Sequence, residues 1–471
     1  MKNMKRVFAA GLLTMVGLLG SAQAQEAADS IGAPQRAGRL TLGGYGEAVM
    51  SRNYYSDHFN RYSYPENHKD DGSHGRFDLP HVTINMGYDF GKGWTMGMEI
   101  EFEHGGTESA VEMDADESGE YEAEVEKGGE VALEQFWIQK SFLPALNVRA
   151  GEIIVPVGQL NAYHEPLNFF TVYRPEGERL MLPNTWHQVG LSVWGRWKAW
   201  RYEAQFLSGL DSERFGAECF VHYGATSPYE FKIANGYAGM LRVDNYSIRG
   251  LRVGVSGYVG NTFCNTLKTA GSSYDEVKGT LAIGTIDFSL NRWNWVIRGN
   301  ADYAHLSDAT RINTFNNTFP KHTSQDGSPS KHQPVAKNAV TAGIEAGYDV
   351  FSQIRSLRGK QQLHVFGRYE YFNSMASSPN ATAYEWCDRH HMALGINYRP
   401  IKEIVVKAEY YKRFFHSQYN NEPAINVGIA YQGWFKLNVG KRQRNYDGEI
   451  HRLNQEINEL HERLQRLESQ Q

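Results

Sequence analysis

The stretch "GWTMGMEIEFEHGG", residues 93–106, alternates between two kinds of side chain. Successive residues of a β-strand point to opposite faces, so this segment has one apolar face and one small or acidic face. The two faces comprise Trp94, Met96, Met98, Ile100 and Phe102 on one side and Thr95, Gly97, Glu99, Glu101 and Glu103 on the other. A half-buried strand of a soluble sheet and a strand of a membrane barrel both produce this pattern. The connections between strands distinguish the two architectures.

Sixteen such segments occur along the chain, and the connections between them are alternately short and long. The short connections span 89–94, 141–146, 196–200, 247–251, 289–295, 351–362 and 398–404, and the long ones span 52–75, 105–130, 158–187, 210–237, 261–277, 306–337, 374–389 and 415–423. Outer-membrane barrels have short turns at one end and long loops at the other. The pattern therefore predicts an all-β, transmembrane up-and-down antiparallel β-barrel of about 16 strands over residues 39–442.

Aromatic residues crowd the short connections, as expected for rings at a membrane interface. They are Phe90, Trp94, Phe142, Trp197, Trp200, Trp293, Trp295 and Tyr398. The alternative is a large soluble β protein, which would need fully apolar strands for a dry core, and residues 39–441 contain almost none. We therefore expect lipid on the apolar face of residues 93–106 and water on the face with the glutamates.

The N-terminus and the overall composition narrow the class of protein. Residues 1–24 combine basic residues, an apolar run and a small-residue cleavage site, which predicts a Sec-type signal peptide, followed by a linker at 25–38. The expected location is the outer membrane of a Gram-negative cell. Beyond the leader no run of 18 apolar residues occurs and mean hydropathy is -0.53, which excludes a helical membrane protein. A net charge of -5 excludes a basic surface for nucleic acid.

The C-terminal residues 446–471 change to a helical period and predict a periplasmic coiled coil. Its apolar seam is spaced 3, 4, 3, 4, 3 and comprises Ile450, Leu453, Ile457, Leu460, Leu464 and Leu467. An isolated helix of this length is marginally stable, so the tail should pair within a homo-oligomer or with a periplasmic partner. Isoleucine at one core position and leucine at the other favour a coiled coil of two helices.

The third long connection, 158–187, is richer in Phe, Tyr, Leu and Pro than an exposed loop, and we predict that it folds into the lumen. A packed external loop is the alternative. The predicted pore constriction comprises His164, Glu165, Arg174, Glu176, Glu178, Arg179 and His187. The predicted pore wall comprises Glu99, Glu101, Glu103, Arg196, Arg252, Arg298, Asp302, Arg368, Glu370, Arg399, Lys407 and Arg413. Wall charges of both signs create a transverse field, and many should pair across strands.

Three stretches around this connection resemble the phosphate-selective porin O and P family. They read "AGEIIVPVGQLNAYHEP" (150–166), "VYRPEG" (172–177) and "LPNTWHQVGLSVWG" (182–195), and a looser likeness extends from about residue 40 to residue 441. The resemblance implies a sixteen-stranded trimeric porin whose third loop enters the pore. Phosphate-selecting members use arginine and lysine clusters with little opposing acid, whereas glutamates accompany Arg174 and Arg179 here. We therefore do not carry phosphate selectivity over to this chain.

These features predict a porin, in contact with outer-membrane lipid, that passes small hydrophilic solutes or ions by passive diffusion. We predict no enzymatic activity, no cofactor and no metal site. One alternative is a structural or adhesive outer-membrane platform with a coiled-coil tether. A second is an outer-membrane hydrolase, although no serine–histidine–acid motif stands out. The small and odd number of cysteines argues against a disulfide scaffold. If one disulfide bridge forms, we expect it between Cys219 and Cys264.

Overall fold

The computed structural model describes residues 39–58, 61, 65–105, 109–114, 122–127, 130–217, 219–225, 234–265, 274–317, 334–377, 387–415 and 421–438. The predicted signal peptide, linker and coiled-coil seam lie outside these residues. Nineteen strands form within them, and their bounds are as follows. The strands are β1 (Arg39–Asn53), β2 (His74–Asp78), β3 (His81–Gly91), β4 (Trp94–Glu103), β5 (Ser109–Asp114), β6 (Glu122–Lys127), β7 (Glu130–Leu143), β8 (Leu146–Ile154), β9 (His187–Trp197), β10 (Trp200–Ser208), β11 (Tyr237–Asn245), β12 (Leu251–Asn261), β13 (Thr280–Arg292), β14 (Trp295–Leu306), β15 (Asn338–Asp349), β16 (Gln362–Asn373), β17 (Asp388–Ile401), β18 (Ile404–Phe415) and β19 (Glu422–Asn438).

Sixteen of these strands close into one antiparallel barrel, which confirms the predicted all-β antiparallel barrel of about 16 strands. Each barrel strand pairs with the next barrel strand along the chain, and β1 pairs with β19 from Arg39↔Asn438 to Asn53↔Ala424. Strand β2 adds to the far end of β1, and β5 pairs with β6 in a separate hairpin. Because the barrel closes on itself, no long sheet edge is left open among its strands.

The short turns lie at one end of the barrel and the long connections at the other. Two of the short turns are two-residue hairpins, Lys92-Gly93 and Trp293-Asn294, in which both residues have positive φ. Such turns match the right-handed twist of the strands they join. The predicted alternation of short and long connections is therefore present in full.

The outer surface of the barrel is apolar and the inner surface is polar. In β4, Thr95, Glu99 and Glu101 are buried in the interior, whereas Trp94 on the other face is 47% exposed. Every predicted girdle residue but Tyr398 is a large exposed aromatic beside a short turn. Residues 94–103 thus place their glutamates inside the barrel and their apolar side chains outside it.

Helices occur only in connections within the described part of the chain. The α-helices are α1 (Gly158–Ala162), α2 (Glu176–Met181) and α3 (Ala309–Asn317), and 3-10 turns span Pro65–His68, Pro166–Asn168, Ser212–Arg214, His222–Ala225, Phe263–Asn265 and Val350–Gln353. None of the described helices has the length and apolar character needed to cross a membrane. The main apolar cluster packs the third long connection against the next three, through residues such as Trp186, Phe220, Phe263 and Ile312.

The strand register differs from simple expectation in two places. The sequence "MLRVDNYSI" (240–248) does not keep one alternating phase and predicts an irregular strand, yet β11 pairs with both neighbours without a register shift. The register instead shifts between β4 and β7, where Glu99 pairs with Gln135 and Ile100 pairs with Leu133. Glu134 is therefore the extra residue of a bulge. Cys219 and Cys264 are not joined by a disulfide bridge.

Candidate functional site: the barrel interior

The third connection leaves the wall through a narrow stem between β8 and β9. The backbone N–H of Val155 donates to the carbonyl of Trp186 at 2.7 Å, one position beyond the last paired residues of these strands. Gly158 then turns the chain with φ +85, in the left-handed region that favours glycine. The Arg242 guanidinium donates to the carbonyls of Pro156 at 3.3 Å and Gly158 at 3.0 Å. The wall strand β11 thereby fixes the start of the excursion.

Lys407 of β18 holds the middle of this connection on another part of the wall. Its ammonium donates to the carbonyls of Pro166 at 2.7 Å, Phe169 at 3.0 Å and Thr171 at 2.8 Å. Lys407 is only 2% exposed. Arg399 of β17 donates to the carbonyl of Leu167 at 2.7 Å. Because the stem lies at β8 and β9 and these anchors lie at β17 and β18, the connection crosses the barrel interior. We call residues 155–186 the inner segment.

Helix α2 docks the second half of the inner segment through paired charges. The Arg413 Nε donates to both carboxylate oxygens of Glu176, at 2.9 and 2.8 Å, and its Nη1 donates to Glu422 at 3.0 Å. Burial alone would raise the pKa of Glu176, but the Arg413 and His391 side chains outweigh it and hold the pKa well below its usual range. The backbone N–H of Gly177 donates to Glu370 at 3.2 Å. Arg179 lies 3.8 Å from Glu176 and is partly exposed.

The middle of the inner segment also faces an acidic part of the wall. Arg174 donates to Thr185 at 2.7 Å and to the Tyr45 hydroxyl at 3.2 Å, and its guanidinium lies 3.7 Å from the Glu101 carboxylate. The His164 ring packs edge-on against Tyr45, with 5.9 Å between ring centroids. Burial and the Arg174 charge lower the pKa of His164 to about 3. The imidazole is therefore neutral at physiological pH.

A buried ion network on β10–β13 was not identified as a unit from the sequence. Arg242 donates to both carboxylate oxygens of Asp244, at 3.1 and 2.8 Å, and lies 3.0 Å from Asp287. Arg252 pairs with both aspartates, and Arg201 lies 3.7 Å from Asp244. Arg242 was missed because its segment appeared out of phase. The alternation of Ala238, Met240, Arg242 and Asp244 would have found it.

The remaining predicted residues occupy several levels of the barrel. Those with wall or loop partners are Arg298, 2.6 Å from Glu345; Arg368, 3.2 Å from Glu345 and 2.8 Å from Glu370; Asp302, 2.6 Å from Asn300; Glu103, 3.4 Å from His81; Glu165, 2.6 Å from Asn168; and His187, 2.7 Å from Glu152 in the stem. Arg196 is half-buried at the short-turn end of β9. Glu178 accepts from the backbone N–H of Leu160 at 2.8 Å, and burial together with Asp302 raises its pKa.

Charge is distributed unevenly around the interior. Acidic wall residues collect on β1, β4 and β7, whereas basic and acidic residues are mixed on β14–β19, as in the pairs Arg298 with Glu345 and Arg368 with Glu370. The inner segment lies between these two groups and contacts both. Charges of opposite sign across a narrow aqueous path orient water and disfavour apolar solutes. Such an interior suits the passage of small hydrated species.

Gly158→Ala should destabilise the folded barrel by about 1–2 kcal/mol, because an L residue resists the left-handed conformation. An added Cβ would also overlap the Glu178 carboxylate. Urea unfolding of the protein in lipid vesicles, followed by tryptophan fluorescence, measures the change. Gly284→Ala is the matched control, since an added Cβ there meets nothing within 4 Å. Equal stability of the two variants would contradict the strain assigned to Gly158.

Comparison with known proteins finds only low sequence identity in the relatives described below. No family model matches the chain, so the resemblance to the phosphate-selective porin O and P family stays a prediction. The chain is 25% identical over 397 residues to an uncharacterized protein of Aquifex aeolicus (strain VF5), with 81% of this chain and 78% of that protein covered.

Three solved structures are similar to the chain at low sequence identity. An anion-selective porin from Comamonas acidovorans is 10% identical with a TM-score of 0.45, covering 84% of this chain and 99% of that one. Salmonella typhi OmpF in complex with daunomycin is 9% identical with a TM-score of 0.48, covering 83% and 97%. The outer membrane channel DcaP of Acinetobacter baumannii is 10% identical with a TM-score of 0.47, covering 85% and 99%. Similarity at this level says nothing about the solute.

Proposed function

We propose that this protein is an outer-membrane porin that passes small ions and hydrophilic solutes by passive diffusion through a path limited by the inner segment. The observation that carries the proposal is a closed barrel with an apolar outside and a charged inside crossed by one docked connection. A soluble protein gains nothing from an apolar outer band, whereas a membrane barrel requires one. A charged interior likewise has a role only where water and ions enter.

The path is expected to be narrow. Wall side chains that would line an open lumen are covered by the inner segment, as for Arg242 and Lys407. Both signs of charge occur along it, and the arginines nearest the inner segment are paired with carboxylates or held by carbonyls. This leaves little free positive charge for a dedicated phosphate site. We therefore propose a general, low-conductance pore.

Single-channel recording of the purified mature protein in a planar lipid bilayer tests this function. We expect discrete ohmic steps of small conductance, a modest ion preference in a salt gradient and no block by low concentrations of phosphate. Block by phosphate would contradict the proposal of a general pore, but the porin function itself would stand. Folded barrels that never conduct would overturn the porin proposal itself.

We propose further that the protein assembles as a homo-oligomer, with a trimer favoured by the family resemblance. The exposed apolar belt can meet either lipid or a neighbouring barrel, so it is compatible with assembly. The predicted coiled-coil tail at 446–471 would lie at the short-turn end, because the last strand runs from the long-connection end towards it. From there the tail would join protomers or bind a periplasmic partner.

A further inference from the structure

Glu99, Glu134 and His164 meet where the inner segment lies against β4 and β7. One potential ligand atom from each residue lies within 4.8 Å of the other two. The residues are deeply buried, with exposed fractions of 3% for Glu99, 1% for Glu134 and 6% for His164. Two wall strands and the inner segment thus each bring one metal-binding group to a single point.

Each of the three side chains also carries an atom that lacks a hydrogen-bond partner among the described residues. The atoms are Glu99 Oε1, Glu134 Oε2 and His164 Nδ1. Buried polar atoms in folded proteins are nearly always satisfied, so three at one point require an explanation. The other Glu99 oxygen accepts from the Gln135 side chain, which orients the carboxylate.

The bulge in β7 places Glu134 in this cluster. Leu133 and Phe136 both point outward although they are three residues apart, and Glu134 between them is buried inside. Bulges commonly re-aim a side chain next to a functional site. The regular ladder is therefore interrupted at the residue that completes the group.

The charges around the cluster favour a cation. Glu101 and Glu165 face Glu99, and Glu101 also faces Glu134. Arg174 is the guanidinium that faces these acids, and it is engaged by Tyr45, Thr185 and Glu101. The four carboxylates outnumber the basic groups beside them, which are Arg174 and the His81 imidazole 2.8 Å from Glu101. Buried charges in proteins are normally paired or bound to a metal.

We propose that Glu99, Glu134 and His164 bind a divalent transition-metal ion that ties the inner segment to the wall. Two carboxylates and one imidazole form a ligand set that zinc accepts, with a fourth position left for water. Zinc bonds of about 2.0–2.1 Å place ligand atoms roughly 3.3 Å apart, so the three side chains would move closer together on binding. The neighbouring group of His81, Glu101 and Glu103 is a weaker candidate, because His81 Nδ1 is already 2.8 Å from Glu101.

Zinc binding by the untagged mature protein, folded in detergent and stripped with a chelator, tests the proposal. We expect one zinc per chain by elemental analysis after dialysis, and a visible absorption band of four-coordinate cobalt when Co²⁺ replaces it. His164→Asn and Glu134→Gln should each weaken zinc binding by more than about 100-fold. This exceeds the loss of about 10–100-fold that is typical when a residue hydrogen-bonded to a metal ligand is changed. Heat-dependent gel mobility and circular dichroism establish that each variant has folded.

His364→Asn is the matched control. His364 is also buried with an unpartnered Nδ1, but its charged neighbours are Arg298 and Arg399 rather than acids. Its replacement should leave zinc affinity unchanged. Folded wild-type protein that binds no stoichiometric zinc would overturn the site, as would a His164→Asn variant that binds zinc as tightly as wild type. These results do not depend on ion conductance, so they are separable from failure of the porin proposal.

Discussion

Arg242→Met is expected to lower the free energy of unfolding by about 3–5 kcal/mol, because it leaves partners of a buried ion network uncompensated. Arg242 is 1% exposed and pairs with Asp244 and Asp287, which are both fully buried. The change also removes the donors to the carbonyls of Pro156 and Gly158. Urea unfolding in lipid vesicles, monitored by tryptophan fluorescence, measures the loss.

Two further variants separate this cause from a general effect of losing an arginine. Arg355→Met, exposed in the connection between β15 and β16, should change the unfolding free energy by less than about 0.5 kcal/mol. Adding Asp287→Asn to Arg242→Met removes the negative charge that is then in excess within the network, so it should recover part of the loss, since the effects of substitutions in one network are not additive. A loss below about 1 kcal/mol, the range of exposed ion pairs, would contradict a stabilising role for the network.

The strand pattern of the barrel could be predicted because it is local. Each strand alternates with period two, and short turns carry local sequence signals, as in the glycine of Lys92-Gly93 between β3 and β4. Strand number and direction then follow from counting. The predicted coiled coil is equally local in its pattern, but it lies outside the described residues and stays a prediction.

The contacts of the interior could not be predicted because they join residues far apart in the chain. Lys407 donates to the carbonyl of Pro166, which is 241 positions away in the sequence, and no local sequence pattern predicts such a contact. Glu134 was missed for a different reason. The spacing of three between outward-facing Leu133 and Phe136 breaks the alternation, and reading it as a bulge would have placed Glu134 inside. Phase breaks in barrel strands therefore merit attention as indicators of inward-aimed residues.

Replacing residues 156–185 with Asn-Gly is expected to raise single-channel conductance several-fold. The hydrogen bond from Val155 to Trp186 closes the stem, so a two-residue hairpin turn can join β8 to β9 directly. Without the inner segment, a sixteen-stranded barrel leaves a wide aqueous channel. Lys407, Arg413 and Arg242 then become hydrated rather than left buried without partners, so the barrel should still fold.

Removal of the β5–β6 hairpin is the control for shortening a long connection, because that hairpin pairs with no barrel strand. Its loss should leave the size of the conductance step nearly unchanged, since the limiting contacts of the inner segment are intact. Ion preference should also fall in the 156–185 replacement, because the acidic and basic wall groups are then separated by water and screened by salt. Unchanged conductance in a folded replacement variant would show that the inner segment does not limit flow. The charged groups of the wall would then have to set the resistance by themselves.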